Sequence, residues 1–198
     1  MSFLPLREAM GPEYAPGLIL PTDFGKLDPN RQLTVHACFH CLDDFRREYG
    51  GRFPRPGDPK DARRFLALVK KSPLMPPGVS VDEKVATAFA RTCAGALPPV
   101  TCLYGGIVAQ EVLKACSRMF LPAHQFLYYD CAEALPDPLP GRKACAMRGD
   151  RYDGQRAVLG DALQSQLSRQ RVFLVGTGAI GCELLKNFVM MGVGCDPN

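Results

Sequence analysis

The amino-acid sequence predicts an α/β fold that begins with an all-α bundle. In the first half of the 198-residue chain, apolar residues recur at the three- and four-residue spacing of amphipathic helices. Near the other end, the apolar run 172–175 leads into a glycine-rich turn and then an apolar helix, which is the order of a βα unit. Only one strand of that unit can be found, so we expect incomplete pieces of a Rossmann-like domain after the bundle.

Residues 1–30 are predicted to form an irregular lead-in, because prolines and glycines are too frequent there for long helices. The pattern changes at Gln32, where an apolar stripe of helical period begins and extends to a stop at Gly50–Gly51. Such a stripe needs partners to cover it, so residues 31–97 are predicted to form a small all-α bundle. The stripe consists of Val35, Phe39, Leu42, Phe45 and Tyr49.

Two further helices complete the predicted bundle. Asp58 can cap the first of them, with Pro59 at the first helical position, where its missing N–H has no cost. The other is predicted over residues 81–94, again from apolar residues at helical spacing. We expect the Pro98–Pro99 pair to close the bundle.

Beyond the bundle, helical and strand-like patterns alternate. Residues 98–135 contain an apolar helix that we expect to open at Gly105–Gly106, followed by a strand-like run at 125–130. Residues 136–150 have the proline-rich composition of a linker. The elements predicted for the last block, residues 151–198, are a helix near 162–168, a strand at 172–175 and a helix at 179–190.

The motif most able to support chemistry is the glycine turn after the predicted strand. Gly176 would make the tight turn, Gly178 would let the backbone approach a phosphate, and Gly181 would let the helix pack on the strand. The N–H groups at the start of the following helix favour an anion. A dinucleotide site also needs a carboxylate about 20 residues on; Asp196 lies at that interval, but Pro197 rules out a central strand there. The alternative is a tight turn that binds nothing.

Three ordered blocks of the sequence resemble one family of enzymes. The block that opens with Arg151-Tyr152-Asp153-Gly154-Gln155 and continues through the glycine motif to Lys186 is similar to the opening of a ThiF/E1-type active adenylation domain. Residues 105–115 and 126–130 resemble the end of the inactive adenylation half, and the helical region looks like the four-helix insertion. The family is that of the ubiquitin-like-modifier activating enzymes (E1 enzymes), and the closest resemblance is to the E1 of the interferon-induced ubiquitin-like modifier.

The resemblance implies a division of the chain into blocks. Residues 31–97 correspond to the four-helix insertion and residues 98–135 to the C-terminal part of the inactive adenylation half. Residues 136–150 form the linker, and residues 151–198 correspond to a truncated N-terminal part of the active adenylation domain. The chain is therefore expected to be an internal fragment of a longer enzyme.

The resemblance also implies an activity for the complete enzyme. E1 enzymes use ATP with Mg²⁺ to adenylate the C-terminus of a ubiquitin-like protein, form a thioester and pass the modifier to an E2 conjugating enzyme. Motif matching assigns the ATP-binding role to Gly176, Gly178, Ala179 and Gly181. The catalytic-cysteine domain and the ribose and magnesium carboxylates would lie beyond this chain, so we assign no catalytic residue and no metal ligand, and we expect the chain alone to be inactive. The alternative is a non-catalytic interaction fragment that binds a modifier or a partner chain.

Composition and charge exclude several classes of partner. The net charge of +4 is spread thinly, without the cluster of basic residues that nucleic acid would need, so we expect no nucleic-acid partner. The longest apolar run is far short of a membrane span, and we expect no membrane association. Nine cysteines scattered through core-like segments indicate a reducing compartment, and the resemblance implies a cytoplasmic or nuclear location.

Four residue patterns that could suggest a metal or catalytic site are interpreted as structural. His36 and His40 should point away from Cys38 and Cys41 on one helix, so we predict Cys38 in the core, the histidines at the helix margin and no shared metal ion. The remaining two patterns are a solvent-side Glu111–Lys114 pair and Cys182, which starts the glycine-loop helix and is not expected to be catalytic.

Overall fold

The computed structural model of the protein describes residues 3–9 and 29–196. Most of the predicted irregular lead-in, residues 10–28, lies outside the described residues. None of the helices in the described part combines the length and apolar character that crossing a membrane requires. The helices are α1 (Leu6–Ala9), α2 (Pro29–Glu48), α3 (Pro59–Lys70), α4 (Glu83–Thr92), α5 (Pro98–Ser117), α6 (Asp153–Ser168) and α7 (Ala179–Met191), with a short 3₁₀ helix at Ala132–Ala134.

Helices α2, α3 and α4 pack together as the predicted bundle. Their shared core contains the fully buried rings of Phe45 and Phe65 and the side chain of Val69. The predicted start of α3 is confirmed, because the Asp58 carboxylate accepts a hydrogen bond from Lys60 N at 2.8 Å and Pro59 occupies the first turn. The core face of α2 is formed by Ala37, Cys38, Cys41 and Phe45, so only part of the predicted α2 stripe lies in the core: Leu42 and Tyr49 pack against it, and Phe39 is 46% exposed.

A buried carboxylate links α3 to the loop that precedes it. Asp61 is fully buried and accepts hydrogen bonds from Arg52 Nη1 at 2.6 Å and from Arg55 Nε at 2.9 Å. Its Oδ2 also accepts from Arg55 N at 3.1 Å. Burial by itself would raise the pKa of Asp61, but the hydrogen bonds from the two arginines outweigh it and hold the pKa below its ordinary value. The carboxylate thus stays charged inside the bundle.

The helix that follows the bundle begins earlier than predicted, at Pro98–Pro99 rather than at Gly105–Gly106. These prolines occupy the first turn of α5 and so begin a helix. Proline is tolerated there because the first N–H groups of a helix have no intrahelical partner. Gly105–Gly106, which we expected to open this helix, lies within it. The sequence pattern could not separate the two cases, since proline marks both the start and the end of helices.

The two predicted strands are not formed as strands within the described residues. Residues 125–130 contain a single bridge position, at Tyr128, and residues 172–175 are irregular. The side chains of Val172, Phe173 and Val175 are 52%, 91% and 84% exposed. A strand exists only through hydrogen bonds to neighbouring strands, so a correct apolar pattern does not suffice without them. The α/β part is represented here by helices and the glycine turn.

Helix α6 is longer than the predicted helix near residues 162–168. It begins at Asp153 and is interrupted at Gly160, where φ is 74° and ψ is 167°. A Cβ atom at Gly160 would lie 2.8 Å from Pro140 Cβ, so glycine also permits close packing of the 136–150 segment. That segment is tied to α4 by Arg91, whose Nη2 donates to Pro140 O at 2.7 Å.

Candidate nucleotide-binding site

The glycine turn adopts a conformation that requires glycine at two of its positions. Gly176 has φ +92°, a region that side-chain-bearing residues rarely adopt. A Cβ atom at Gly181 would lie 2.3 Å from Gly176 O, so any side chain there would force the backbone of the turn to open. The first and third glycines of the motif therefore hold a closed turn at the start of α7.

The predicted site residues lie together at the N-terminal end of α7. Gly178 is the N-cap residue, and no side chain caps the helix there. Gly178 O accepts the first helical hydrogen bond, from Cys182 N at 2.9 Å. Ala179 follows as the first helical residue and is exposed. Cβ atoms at Gly176 and Gly178 would meet no atom of the described residues within 4 Å, so among these residues nothing covers the face that would take a ligand.

This arrangement fits the phosphate part of a nucleotide. The first N–H groups of α7 lack intrahelical partners, and the helix dipole places positive potential at this end. Asp196, at the interval expected for a ribose-binding carboxylate, lies elsewhere: its Oδ2 is 3.2 Å from Arg169 Nε, and its N–H donates to Ser168 O at 2.9 Å. These partners belong to the end of α6, so Asp196 sits beyond the C-terminal end of α7. Asp196 is therefore not placed beside the glycine turn.

The cysteine at the start of α7 is exposed and close to the turn. Cys182 Sγ lies 3.2 Å from Thr177 O, a geometry in which the thiol donates to the carbonyl. The expectation that Cys182 is not catalytic stays a prediction.

The histidines of α2 differ in part from the prediction. Cys38 lies in the bundle core, as expected, with an exposure of 0%, and Cys41 lies there as well, with an exposure of 2%. His36, expected at the helix margin, is 1% exposed because residues 126–128 cover it. Its Nδ1 lies 2.7 Å from the Tyr128 hydroxyl, and its ring centroid is 4.9 Å from that of His40. Across residues 3–9 and 29–196, no group of three or more His, Cys, Asp or Glu side chains could hold a metal ion.

The stability of the protein is expected to fall on mild acidification because of His36. Burial, with a smaller contribution from His40, lowers the pKa of His36 to about 4. The unfolded chain therefore binds the proton more tightly between pH 6.5 and 4, and stability decreases as the pH falls through that window. The loss between pH 7 and pH 5 should be about 2 kcal/mol, measured by urea unfolding at both pH values. In the His36→Phe variant this pH dependence should be much smaller; an unchanged dependence would contradict the assignment.

The Glu111–Lys114 pair has a second role that the sequence did not indicate. The predicted ion pair forms, with Lys114 Nζ 2.6 Å from Glu111 Oε1. Glu111 Oε2 also accepts a hydrogen bond from Ala123 N at 2.9 Å, and the carboxylate is half-buried. Glu111 therefore ties the chain that follows α5 back onto the helix.

Two family comparisons cover separate parts of the chain. Residues 1–72 match the ubiquitin-activating enzyme E1 four-helix bundle, and residues 152–195 match the ThiF family. Individual relatives span both regions: the Ubiquitin-activating enzyme E1 2 of Triticum aestivum is 41% identical over 203 residues, covering 100% of this chain and 19% of the relative. The chain is a relative of the E1 enzymes.

Animal E1 sequences are similarly close to this E1-related chain. The Ubiquitin-like modifier-activating enzyme 1 of Homo sapiens is 44% identical over 180 residues, which covers 88% of this chain and 17% of the relative. The Ubiquitin-like modifier-activating enzyme 7 of Mus musculus is 42% identical over 193 residues, covering 90% of this chain and 20% of the relative. The chain therefore spans a fifth or less of the length of these E1 relatives.

Proposed function

We propose that this chain is part of an E1 enzyme that activates a ubiquitin-like protein by ATP-dependent adenylation of its C-terminus and subsequent thioester formation. The observation that carries the proposal is the closed glycine turn at the uncapped start of α7, set within sequence related to E1 enzymes on both sides. In the complete enzyme the partners would be a ubiquitin-like protein and an E2 conjugating enzyme, and the resemblance to the E1 of the interferon-induced modifier makes that modifier the first to test.

The proposed role of this chain's own residues is to hold the nucleotide phosphates. Gly176 and Gly181 keep the turn closed, while Gly178 and Ala179 present backbone N–H groups to the anion. MgATP would supply the adenylyl group. We assign residues 31–97 to the four-helix insertion, 98–135 to the end of the inactive adenylation half and 151–198 to the start of the active adenylation domain, joined by the linker at 136–150.

The chain alone is proposed to be inactive. The residues just before the turn, 172–175, have no strand neighbours among the described residues, and their exposed apolar side chains leave the turn without a sheet behind it. A phosphate cradle without carboxylates for ribose and magnesium binds ATP weakly.

Calorimetry with MgATP tests the proposal on this chain and on an extended form that continues after residue 198 with the sequence of an E1 relative. We expect tight binding by the extended form alone. In that form, Gly181→Ala should weaken binding at least about tenfold because its Cβ would open the turn. The matched control is Gly105→Ala, in an open position within α5, which should leave binding unchanged. Absence of binding by both forms would overturn the proposal.

A second candidate function is non-catalytic association with a protein. The loop after α5 exposes three consecutive apolar side chains, Met119, Phe120 and Leu121, at 61%, 81% and 75%. Phe120 also has φ 66°, which is strained for an aromatic residue. Exposed apolar clusters favour protein contacts. Binding of a ubiquitin-like protein by this chain without nucleotide, weakened by Phe120→Ser, would favour this function over the first.

A further inference from the structure

Two buried amide side chains of α6 hold the C-terminal end of α7 by hydrogen bonds. Gln155 and Gln164 are 3% and 7% exposed. Gln155 Nε2 donates to Gln164 Oε1 at 2.6 Å and to Met191 O at 3.0 Å. Gln164 Nε2 donates to the same carbonyl at 3.1 Å. Met191 O is one of the last carbonyls of α7, which lack partners within the helix, and it here receives two donors.

Residues around this amide pair fix the same end of α7. Arg151 Nη2 donates to Val189 O at 2.7 Å. Gly192, with φ +76°, lies against the ring of Tyr152, where a Cβ atom would come within 2.7 Å. After the helix, Gly194 N donates to Leu167 O at 3.1 Å. The start and the end of α6 thus hold the last turn of α7 and the chain beyond it.

The opposite end of α7 carries the glycine turn and has much weaker support. Ile180, in the first turn, is 79% exposed, and residues 172–175 make no ladder hydrogen bonds among the described residues. Helix α5 also packs on α7, but apolar contacts are not directional, whereas a buried hydrogen-bond network specifies one arrangement. A 13-residue helix is about 20 Å long, so a tilt of about 10° at its C-terminal end would move the glycine turn by roughly 3 Å.

We propose that Gln155 and Gln164 are positioning residues that set the direction of α7 and so place the glycine turn for the nucleotide. This inference rests on the function proposed above. Within the described part of the chain, the buried Gln155 Oε1 has no hydrogen-bond partner, a cost that packing alone would not require. The amide must face this way because the flipped amide would bring its oxygen against two other oxygens, Gln164 Oε1 and Met191 O.

Hydrogen exchange of the full chain tests, independently of ATP, whether the two glutamines hold the C-terminal end of α7. At pH 7.5, Gln164→Glu replaces an N–H donor by a carboxylate facing Met191 O, and protection of α7 should fall at least about tenfold. Gln166→Glu, at an exposed position on the same helix, should leave α7 unchanged. At pH 5, a protonated carboxyl can again donate to Met191 O, so protection should recover toward that of the wild type at the same pH.

The pH-dependent recovery separates positioning by hydrogen bonding from simple packing. Three results would overturn the proposed hydrogen-bonded support of α7. They are unchanged exchange protection of α7 at pH 7.5, no recovery of protection at pH 5, and a loss of protection that extends into α2–α4. In the ATP-binding extended form, the Gln164→Glu variant should bind MgATP more weakly than the wild type at pH 7.5 and should regain binding at pH 5. Unaffected binding at pH 7.5 would overturn the positioning role. If no form binds ATP, the proposed function fails, and the positioning role fails with it, while the exchange result still decides whether the amides hold α7.

Discussion

Phe65→Ala is expected to lower the free energy of unfolding by about 3–5 kcal/mol. The Phe65 ring is fully buried at the centre of the bundle, with ring centroids 6.2 Å from Phe45 and 5.6 Å from Phe89. Its removal leaves a cavity lined by residues of all three helices, which can collapse only in part. The measurement is urea unfolding at pH 7, followed by far-ultraviolet circular dichroism.

Phe173→Ala is the matched control for this prediction. Phe173 is 91% exposed, so the same chemical change removes almost no buried surface and should alter stability by less than about 0.5 kcal/mol. A large loss in Phe173→Ala would contradict the exposed position of residues 172–175, and a small loss in Phe65→Ala would contradict the buried position of Phe65.

Asp61→Asn is expected to cost about 3 kcal/mol of stability at pH 7. The variant keeps the shape of the side chain but removes the charge that accepts hydrogen bonds from Arg52 and Arg55. The cost should lie at the low end for a buried ion pair, because the arginine side chains are 35% and 38% exposed and can regain water. The measurement is again the free energy of unfolding.

The control for Asp61 is Asp43→Asn, which removes an exposed partner of Arg46 and should change stability by less than about 0.5 kcal/mol. The pKa of Asp61 is lowered in the folded protein, so its contribution is present above the unfolded pKa and is lost as the pH falls below it. The difference between wild type and Asp61→Asn should therefore shrink below pH 4. A difference that is constant with pH would contradict a charge-based contribution.

The sequence predicted local structure best where the determining residues are close together. Asp58 and Pro59 marked the start of α3, and the Val35-to-Tyr49 stripe marked α2. The start of α5 was missed because proline has the same local effect at either boundary of a helix. The burial of His36 was missed because the residues that cover it lie some 90 positions away, with Tyr128 making the closest hydrogen bond.

The sequence predicted the glycines of the candidate site but not the side chains that hold the helix behind it. The spacing of Gly176, Gly178 and Gly181 identified the turn, and the backbone requires glycine at Gly176 and Gly181, which lie within six residues of each other. The amide pair Gln155 and Gln164 gave no signal. The two residues are nine positions apart across the helix break at Gly160, and they meet at a carbonyl of another helix.

By itself, the sequence determined the helical bundle and the glycine turn, because periodicity, capping and short motifs depend on neighbours within a few residues. The relationship to E1 enzymes came from the resemblance of three ordered sequence blocks. Only the tertiary structure decided which carboxylate is buried, which histidine is covered, which end of α7 is held and whether an apolar run becomes a strand. Burial and strand pairing are properties of contacts between distant segments, so their outcome depends on which partners are present in the fold.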